Sequence, residues 1–387
     1  MGSSSMARLV VIGGGMAGHL IAHEMQSSMQ VTLIDPKAYV EVPMAVPRLL
    51  VEPEALAARI PYADFLPNVR RIRGHATAIA DDSVEVTVPD GSVESVPFDY
   101  SVIATGSRYV DPLIKAAAGT EAERHAEIVA AHRSYRTTRN VLIVGGGPVG
   151  VEIAAEFVES FPAVKVAIIE MGGKLLEAAP SKFGGWAQSF LREHGVEIIL
   201  NDHVVDPPIG RQPNDGVATT ASGRKIDANV IVWATGIKIA TEFVAHSFPE
   251  AVEPDGRLKT DSYLRLQGHP TVFVAGDVTN LPERRLALIA FLHAPAVTKN
   301  LKTLAQSPEA KLVPYKPHPP GKGLGRLMVV TFGRRGGLTS LPFGQFRASF
   351  LARAIKSKDM LVGRLRKGVG TSLLTRNRAD TDPMCSG

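Results

Sequence analysis

Two segments of the chain carry the same pattern of hydrophobic and polar positions. Each begins with four consecutive Val, Ile or Leu residues and runs into a glycine-rich turn, in "LVVIGGGMAG" at 9–18 and "VLIVGGGPVG" at 141–150. Such unbroken apolar runs are typical of parallel strands buried on both faces. A helical stretch follows each turn, and a second apolar strand then ends in an acid, in "VTLID" and "VAIIE". The pattern predicts a strand–helix–strand unit that occurs twice.

Later segments complete the same plan. "YSVIATGS" at 100–107 and "VIVWATGIK" at 230–238 each predict a strand that closes one parallel sheet, and "HPTVFVAGDVTN" at 269–280 predicts a strand that leads to an Asp. The Pro- and Gly-rich stretch at 315–325 predicts a linker, followed by a smaller strand-and-helix segment and a polar tail. The sequence therefore predicts an α/β fold with two Rossmann-like domains and a small C-terminal α+β segment.

Length and composition fit a folded protein of two or three domains. Of the 387 residues, 45% are hydrophobic and 21% charged, and no apolar run reaches the roughly 18–20 residues that span a bilayer. The first strand begins by Leu9, which predicts that no targeting peptide precedes it. Myristoylation of Gly2 would require Ser or Thr where Met6 stands. A start at Met6 behind an added leader is favoured, and acylation of Gly2 stays open.

The first glycine turn fits the G-x-G-x-x-G pattern of a dinucleotide site. Gly13 permits a tight turn, Gly15 lets the backbone approach a pyrophosphate, and Gly18 lets the helix pack closely on the strand. The helix then presents backbone N–H groups to the phosphates. Asp35, 17 positions after Gly18, suits the ribose hydroxyls. Four neighbours are assigned to the same site, namely Gly14, Met16, Ala17 and Lys37.

The second turn predicts a second dinucleotide. Gly145, Gly147 and Gly150 repeat the spacing, and Glu170 ends the following strand. A carboxylate at that place accepts hydrogen bonds from a ribose 2′-OH and repels a 2′-phosphate. Lys174 alone could offset this repulsion, so NADH is predicted to be preferred, with NADPH possible.

These motifs resemble the two-dinucleotide-binding flavoprotein superfamily over roughly residues 7–310. Within it the chain is most similar to the apoptosis-inducing-factor-like group, which includes ferroptosis suppressor protein and its plant homologues and is related to the type II NADH dehydrogenases. Four stretches carry this likeness: "IDPKAYVEVPMAVPRLL", "GGGPVGVEIAAEF", "ALIAFLHAPAVTKNL" and "KSKDMLVGRLRK".

The resemblance implies an FAD-binding domain that is split by an inserted NAD(P)H-binding domain. Its two parts are expected at 7–113 and 237–310, with the NAD(P)H-binding domain at 114–236. A C-terminal domain with a basic amphipathic segment is expected at 311–370, and a disordered tail at 371–387.

The resemblance also implies roles for single residues. Arg48 would contact the FAD phosphates, Ala76 the adenine region, and Asp277 the ribityl or pyrophosphate region, unless Asp277 only caps a helix. The N-terminus of the helix around Leu288–Ala294 would stabilise charge on the flavin. Further cofactor contacts are expected at Ala104, Thr105, Gly106, Gly236, Gly276 and Ala294, and no metal site is expected.

Four residues form the predicted catalytic set. The resemblance implies that Glu152 lies near the nicotinamide, and Glu156, four residues later, shares its helix face. A solvated surface position is the alternative for Glu156. His293 is either a proton donor or a structural histidine beside the flavin. The resemblance implies that Lys356 supports the flavin and acceptor pocket.

The two cofactors imply an oxidoreductase in which hydride passes from NADH to FAD and electrons then leave to an acceptor. Disulfide reductases of the superfamily need two cysteines beside the flavin, whereas Cys385 is the single cysteine and lies in the tail. The acceptor must therefore meet the flavin directly. A ubiquinone-like quinone is the leading hypothesis. A soluble acceptor, such as monodehydroascorbate or an iron–sulfur protein, is the alternative.

The basic C-terminal segment suggests where a quinone would come from. The net charge is +5, yet residues 344–378 hold nine Lys and Arg and one Asp. Helical spacing places Arg347, Arg353 and Lys356 around an apolar face. Such a stretch can lie on an anionic membrane surface or pack on the FAD domain with a solvated basic side. Membrane-dwelling quinones suit a cytoplasmic protein at a membrane periphery. The predicted apolar face comprises Phe346, Phe350, Leu351, Ala354 and Ile355.

A redox-sensing nucleic-acid-binding or cell-death protein is the rival class of function. The chain lacks the aromatic interleaving of a single-strand groove, and only one segment is basic. A nucleic-acid partner is therefore disfavoured. The oligomeric state is left open by the sequence.

Overall fold

The computed structural model describes residues 6–371. The strands are β1 (Arg8–Ile12), β2 (Gln30–Ile34), β3 (Tyr39–Glu41), β4 (Arg59–Pro61), β5 (Arg70–Ile72), β6 (His75–Ile79), β7 (Ser83–Thr87), β8 (Val93–Pro97), β9 (Tyr100–Ile103), β10 (Ser107–Arg108), β11 (Asn140–Val144), β12 (Lys165–Glu170), β13 (Glu197–Leu200), β14 (Val204–Asp206), β15 (Val217–Thr220), β16 (Lys225–Asp227), β17 (Val230–Trp233), β18 (Lys238–Ile239), β19 (Arg265–Leu266), β20 (His269–Val274), β21 (Met328–Phe332), β22 (Gly336–Leu341) and β23 (Gly344–Phe346).

The helices lie between these strands and after them. The α-helices are α1 (Gly18–Met25), α2 (Val46–Val51), α3 (Glu121–Thr137), α4 (Pro148–Ser160), α5 (Phe183–Glu193), α6 (Glu242–Ser247), α7 (Ala287–Gln306), α8 (Ser349–Ala352) and α9 (Val362–Gly368). Short 3-10 turns occupy Pro43–Ala45, Tyr62–Asp64, Pro249–Ala251, Gly276–Val278 and Gly323–Arg326, and a π-helical turn occupies Arg353–Ser357.

The first sheet has six strands in the order β19–β20–β9–β1–β2–β5. All its neighbours pair in parallel except β19 and β20. Its central strand β1 is buried from Leu9 to Ile12, as the unbroken apolar run predicts. Strands β19 and β20 come from a part of the chain far beyond the other four. The sheet is therefore assembled from two separate segments.

The second sheet lies between those two segments in the chain. Its four parallel strands have the order β13–β12–β11–β17. In each sheet one glycine turn connects the central strand to a helix, α1 in the first and α4 in the second. The predicted duplication of the strand–helix–strand unit is present in the structure.

Antiparallel pieces complete the fold. Three-stranded sheets are formed by β6–β7–β8, β14–β15–β16 and β21–β22–β23. The short strands β10 and β18 follow the two "ATG" turns and pair with each other. This pair links the chain leaving the first sheet to the chain leaving the second.

The C-terminal segment differs from the predicted helical face. Phe346 is in strand β23, which pairs with β22 in a hairpin, and helix α8 begins only at Ser349. The helix then widens into the π-helical turn, which changes the angular spacing of the side chains that follow. The single amphipathic face drawn from Phe346 to Ile355 is therefore wrong.

The other C-terminal predictions have mixed outcomes. The stretch from 315 to 322 has no helix or strand, as predicted for a linker, before the 3-10 turn at Gly323–Arg326. The predictions for Gly2, Cys385 and the tail beyond Thr371 fall outside the described residues. Among the helices of residues 6–371, none has the length and apolar character needed to span a membrane.

Candidate functional site

The first glycine turn has a closed side and an open side. Gly13 has a φ of +96°, and a Cβ there would lie 2.5 Å from the Ala104 carbonyl oxygen. A Cβ on Gly18 would lie 1.8 Å from the Gly13 carbonyl oxygen, so α1 can pack this closely only with glycine at that position. At Gly15, by contrast, the nearest atom to an added Cβ is 4.0 Å away. The turn therefore offers an open backbone face where a pyrophosphate can approach.

The second turn repeats this geometry. Gly145 has a φ of +111°, and a Cβ there would lie 2.8 Å from the Ala234 carbonyl oxygen. A Cβ on Gly150 would lie 1.9 Å from the Gly145 carbonyl oxygen, whereas one on Gly147 would meet no atom within 4 Å. Pro148 occupies the first turn of α4, where its fixed φ and missing N–H suit a helix start. Both turns thus form a cradle for the diphosphate of a dinucleotide, the first at 13–18 and the second at 145–150.

Each predicted ribose-binding acid is hydrogen-bonded to its own turn. The Gly14 N–H donates to Asp35 Oδ2 at 2.5 Å, and Lys37 donates to Oδ1 through its backbone N–H and its Nζ. At the second turn the Gly146 N–H donates to Glu170 Oε2 at 2.6 Å, and the Gly172 N–H donates to Oε1 at 2.8 Å. These bonds hold both carboxylates at the edge of the phosphate cradle. Lys37, assigned to FAD, pairs with Asp35.

Tyr62 covers the first turn, a contact that sequence reasoning missed. Its hydroxyl donates to the Gly14 carbonyl oxygen at 2.9 Å, and a Cβ on Gly14 would lie 2.1 Å from that hydroxyl. Burial, with the nearby Asp35 carboxylate, raises the pKa of Tyr62 well above 10. A single tyrosine in a short 3-10 turn has no periodic or motif signal. The spacing of the glycines could therefore not have revealed it.

A cavity of about 260 Å³ adjoins this first acid. It is lined by Asp35, Lys37 and Tyr62 together with the exposed residues Arg71 and Arg73. Ala76 does not line it. That residue lies in β6, packed against a hydrophobic cluster, and its predicted contact with adenine remains a prediction.

Residues in and just after the two "ATG" turns are hydrogen-bonded to each other and to Asp277. The Thr105 hydroxyl donates to the Ala240 carbonyl oxygen at 2.6 Å, and the Ser107 hydroxyl donates to Asp277 Oδ2 at 2.9 Å. Lys115 Nζ donates to the Ser107 hydroxyl at 3.4 Å, and burial lowers the pKa of this lysine. Glycines with positive φ stand at the turns that bring these strands together, namely Gly106, Gly236 and Gly276.

The start of helix α7 lies against the same region. Asp277, Gly276 and Ile289 line a cavity of about 200 Å³, which places the first turn of α7 beside the predicted flavin site. The helix begins at Ala287, close to the predicted start. Ala294 is two turns further along the helix and buried in the core, so its predicted cofactor contact stays a prediction.

His293 is buried and bonded through both ring nitrogens. The Gly276 N–H donates to Nδ1 at 2.9 Å, so the ring proton is on Nε2, which lies 2.8 Å from Glu283 Oε2. The Tyr315 hydroxyl also donates to Glu283, which fixes this carboxylate in turn. The geometry favours the structural alternative for His293, because its one ring proton is held by Glu283.

Helix α4 carries a buried acidic face that receives the C-terminal segment. The Thr331 N–H and hydroxyl donate to Glu152 Oε1 at 2.8 and 3.1 Å, and Lys356 Nζ donates to the same oxygen at 2.5 Å. Both Glu152 and Lys356 are buried. The structure therefore brings together two members of the predicted catalytic set that are 204 positions apart.

One turn further along α4, Glu156 pairs with Arg48. The Arg48 Nε lies 2.8 Å from both carboxylate oxygens, and its terminal nitrogens lie 3.4 and 3.5 Å from the Ser357 carbonyl oxygen. Burial raises the pKa of Glu156, and the Arg48 charge opposes that rise. The solvated position considered for Glu156 is wrong, because α2 and the π-helical turn cover this face. A contact of Arg48 with FAD phosphates stays a prediction.

Comparisons with known proteins agree with this architecture. The model of the pyridine nucleotide-disulphide oxidoreductase family matches residues 7–294. Apoptosis-inducing factor homolog A of Dictyostelium discoideum is 29% identical over 382 residues, covering 93% of this chain and 91% of that protein. Ferroptosis suppressor protein 1 of Taeniopygia guttata is 28% identical over 384 residues, covering 95% and 96%. The predicted resemblance is confirmed.

Solved structures share the fold. NDH2 from Plasmodium falciparum in complex with NADH has a TM-score of 0.73 at 14% identity, covering 90% of this chain and 93% of that one. The sulfide:quinone oxidoreductase of Aquifex aeolicus has a TM-score of 0.71 at 18% identity, covering 94% and 92%. The predicted fold class is confirmed.

The family match covers both glycine turns and both parallel sheets. Its members are flavin-dependent oxidoreductases that use a nicotinamide nucleotide, which fits the two phosphate cradles. The disulphide in the family name has no counterpart here, since Cys385 is the single cysteine. On the extent of this match, the chain belongs to the pyridine nucleotide-disulphide oxidoreductase family.

Proposed function

We propose that the protein is an FAD-dependent NAD(P)H:quinone oxidoreductase that works at a membrane surface. Hydride would come from NADH, and electrons would leave to a ubiquinone-like acceptor. The observation that carries the proposal is the repeated cradle geometry, with an open middle glycine at Gly15 and Gly147, in a chain with one cysteine. Two dinucleotide sites without a cysteine pair suit electron transfer straight to an organic acceptor.

The first cradle supports FAD as the flavin. Its open backbone at Gly15 would hold the pyrophosphate, and Asp35 would hold the ribose, while the cavity beside Asp35 has room for the adenosine end. Asp277 and the first turn of α7 would hold the opposite end. The flavin, when bound, supplies the group that accepts hydride from NADH and releases electrons to the acceptor.

The second cradle supports NADH as the preferred donor. Glu170 has both oxygens bonded to backbone N–H groups, which keeps its negative charge at the cradle edge. A 2′-phosphate would meet this charge directly. Lys174, the one cation that the following loop offers against this charge, is exposed to solvent, which weakens its effect at the cradle. The balance at this site therefore favours a ribose with a free 2′-hydroxyl.

The buried pair of Glu152 and Lys356 would position the reacting groups. Glu152 follows Gly150 by two residues, so it lies in the first turns of the helix that begins at the second cradle. Lys356 brings a positive charge to that place from the C-terminal segment. Fixed charges in a water-poor site stabilise developing charge without having to reorganise. The pair would thus couple the nucleotide site to the C-terminal segment.

The quinone acceptor is supported by chemistry and by the fold. A two-cysteine route is excluded by composition. The fold is shared with a protein named as a sulfide:quinone oxidoreductase. Membrane contact is supported by two exposed aromatic residues, Phe350 in the basic C-terminal segment and Phe343 directly before it.

Absorption spectroscopy tests the proposal. The purified protein is expected to carry FAD, to lose its flavin absorption when NADH is added without oxygen, and to regain it when a short-chain ubiquinone follows. Monodehydroascorbate serves as the competing acceptor. Absence of bound FAD, or reoxidation by monodehydroascorbate but not by quinone, would overturn the proposal.

A further inference from the structure

A cationic cavity lies between α2, the β21–β22 turn and the π-helical turn. Its volume is about 360 Å³, within the range of small-ligand sites. Its lining includes five cations and one acid, and no glycine of either cradle contributes to it. These charged residues are Arg48, Glu52, Arg334, Arg335, Arg353 and Lys358.

Two of the five cations are already neutralised. Arg48 pairs with Glu156, and Arg334 pairs with Glu52. The three others are Arg335, Arg353 and Lys358, which are exposed and have no carboxylate partner within residues 6–371. The cavity therefore holds a net charge of about +3, concentrated in one concave surface.

Hydrogen bonds fix the backbone of the two turns that carry these cations. The Arg334 N–H donates to Glu159 Oε2 at 2.8 Å, which ties the β21–β22 turn to helix α4. Gly333 gives that turn its positive φ of +61°. On the other side, the Lys358 N–H donates to the Arg353 carbonyl oxygen at 3.3 Å, within the π-helical turn. Like charges fixed near one another repel, so an anion between them relieves that repulsion.

We propose that this cavity binds a phosphate group. Guanidinium groups offer paired N–H donors that match phosphate oxygens, and an ammonium adds a third point charge. A carboxylate ligand would satisfy fewer of these donors, because it has two oxygens where a phosphate monoester has three. The glycines of the two cradles do not line this cavity, and Glu156 already neutralises Arg48, so the three free cations would carry the binding.

The phosphate group could belong to a phospholipid headgroup or to a soluble phosphate ester. Phe350 favours the headgroup, because it is 76% exposed and lies only three residues before Arg353, which lines the cavity. An aromatic side chain beside a phosphate site suits the boundary between headgroups and acyl chains. For the lipid source, the inference rests on the membrane surface of the proposed function.

Vesicle flotation and calorimetry test the site with the full chain and its bound flavin. The probes are vesicles of phosphatidylcholine alone, vesicles that also contain phosphatidic acid, and glycerol 3-phosphate in solution. The variant removes the three free charges by Arg335→Gln, Arg353→Gln and Lys358→Gln. Each lost charge is expected to weaken binding about five-fold, so the triple variant should lose on the order of 100-fold.

A matched control removes three other exposed charges, by Arg139→Gln, Arg211→Gln and Lys225→Gln. This control should bind as the wild type does. Phe350→Ser then separates the sources, since it should weaken vesicle binding and leave glycerol 3-phosphate binding unchanged. If the triple variant does not fold, the single charge reversal Lys358→Glu replaces it.

The outcomes separate this inference from the redox reaction. Charge-dependent binding of phosphatidic acid vesicles or of glycerol 3-phosphate supports the site and identifies its source. Equal binding by the triple variant and the control, or no binding of either probe, overturns it. Binding is measured without NADH, so a failure of quinone reduction would leave the result standing.

Discussion

The guanidinium of Arg48 bonds to both carboxylate oxygens of Glu156, each at 2.8 Å, and both side chains are buried. The two residues come from different halves of the structure. Arg48 is on α2, which follows the first cradle, and Glu156 is on α4, which begins at the second. A buried ion pair thus joins the helix α2 to the helix that begins at the second glycine turn.

Removing one partner of this pair should destabilise the protein strongly. Arg48→Met leaves Glu156 buried without its counter-charge, which typically costs about 3–5 kcal/mol. Replacing both residues, by Arg48→Met with Glu156→Leu, should recover part of that loss because no buried charge remains. Chemical unfolding of the two single variants and the double variant measures the coupling. Additive losses would show that the two side chains do not interact.

The loss of folding stability in Arg48→Met should also depend on pH. Burial raises the pKa of Glu156, and Arg48 opposes this rise, so the variant should raise the pKa further. A carboxyl group whose folded pKa is raised stabilises the fold at low pH and loses that contribution as pH rises through the folded pKa. The difference in the free energy of unfolding between the Arg48→Met variant and the wild type should therefore narrow as pH falls from about 7 towards 5. A gap that widens would contradict this.

Two glycines of the second cradle should respond differently to a methyl group. An added Cβ at Gly147 meets open space, so Gly147→Ala should cost less than about 1 kcal/mol of stability and weaken NADH binding about ten-fold or more. At Gly150 the same atom would lie 1.9 Å from a carbonyl oxygen, so Gly150→Ala should reduce folding itself. Thermal unfolding and NADH titration separate the two effects. Equal destabilisation by both would contradict the cradle geometry.

Glu170 should determine the choice between nicotinamide cofactors. Glu170→Gln removes the charge that repels a 2′-phosphate and keeps an oxygen to accept one backbone N–H. The ratio of kcat/KM for NADPH to that for NADH should rise about ten-fold or more. Asp227→Asn, at an exposed acid on β16, is the control and should leave the ratio unchanged. An unchanged ratio in Glu170→Gln would refute the assignment.

Lys356 should affect the rate of flavin reduction more than substrate binding. Lys356→Met leaves Glu152 with its bonds to Thr331 but without a cation. Stopped-flow reduction by NADH should slow about ten-fold or more, with a smaller change in KM. Lys356→Arg should restore part of the rate, and Lys367→Met, at an exposed lysine on α9, should behave as the wild type does. A loss of stability with an unchanged rate per folded molecule would indicate a purely structural lysine.

His19 should make the fold sensitive to mild acid. Its Nδ1 lies 2.6 Å from the Gly15 carbonyl oxygen, its Nε2 is buried without a partner, and burial lowers its pKa from 6.5 to about 4. The unfolded chain takes up this proton at higher pH than the folded chain, so stability falls as pH drops through that window. Between about pH 7 and pH 5, His19→Leu should lose about 2 kcal/mol less stability than the wild type.

Chemical unfolding at the two pH values measures this difference. His203→Leu, at an exposed histidine, is the control and should track the wild type. A wild-type protein and a His19→Leu variant that lose equal stability between the two pH values would contradict the prediction.

Much of the fold was readable from local patterns. The apolar runs before Gly13 and Gly145 predicted the central strands of both sheets, because a strand buried on both faces needs no polar residue. The spacing to Asp35 and Glu170 predicted acids at the cradle edges, and both lie there, bonded to their turns. These signals work because strand, turn and helix are adjacent in the chain.

The C-terminal segment shows where such reading fails. Helical periodicity placed Phe346 and Ile355 on one face, but Phe346 lies in a hairpin strand and Ile355 in the π-helical turn. Hairpin pairing with β22 depends on residues before the segment, and the π-helical turn positions Lys356 for Glu152. Neither effect leaves a periodic signature in the segment itself.

The sequence by itself determined the two cradles, since their glycines, helices and acids lie within about thirty residues and obey backbone sterics alone. The tertiary structure decided which distant side chains meet: Lys356 with Glu152, Arg48 with Glu156, and Tyr62 with Gly14. The physical reason is that a buried charge or hydroxyl is stable only beside a partner, and the partner is supplied by whichever element packs against it, at any distance along the chain.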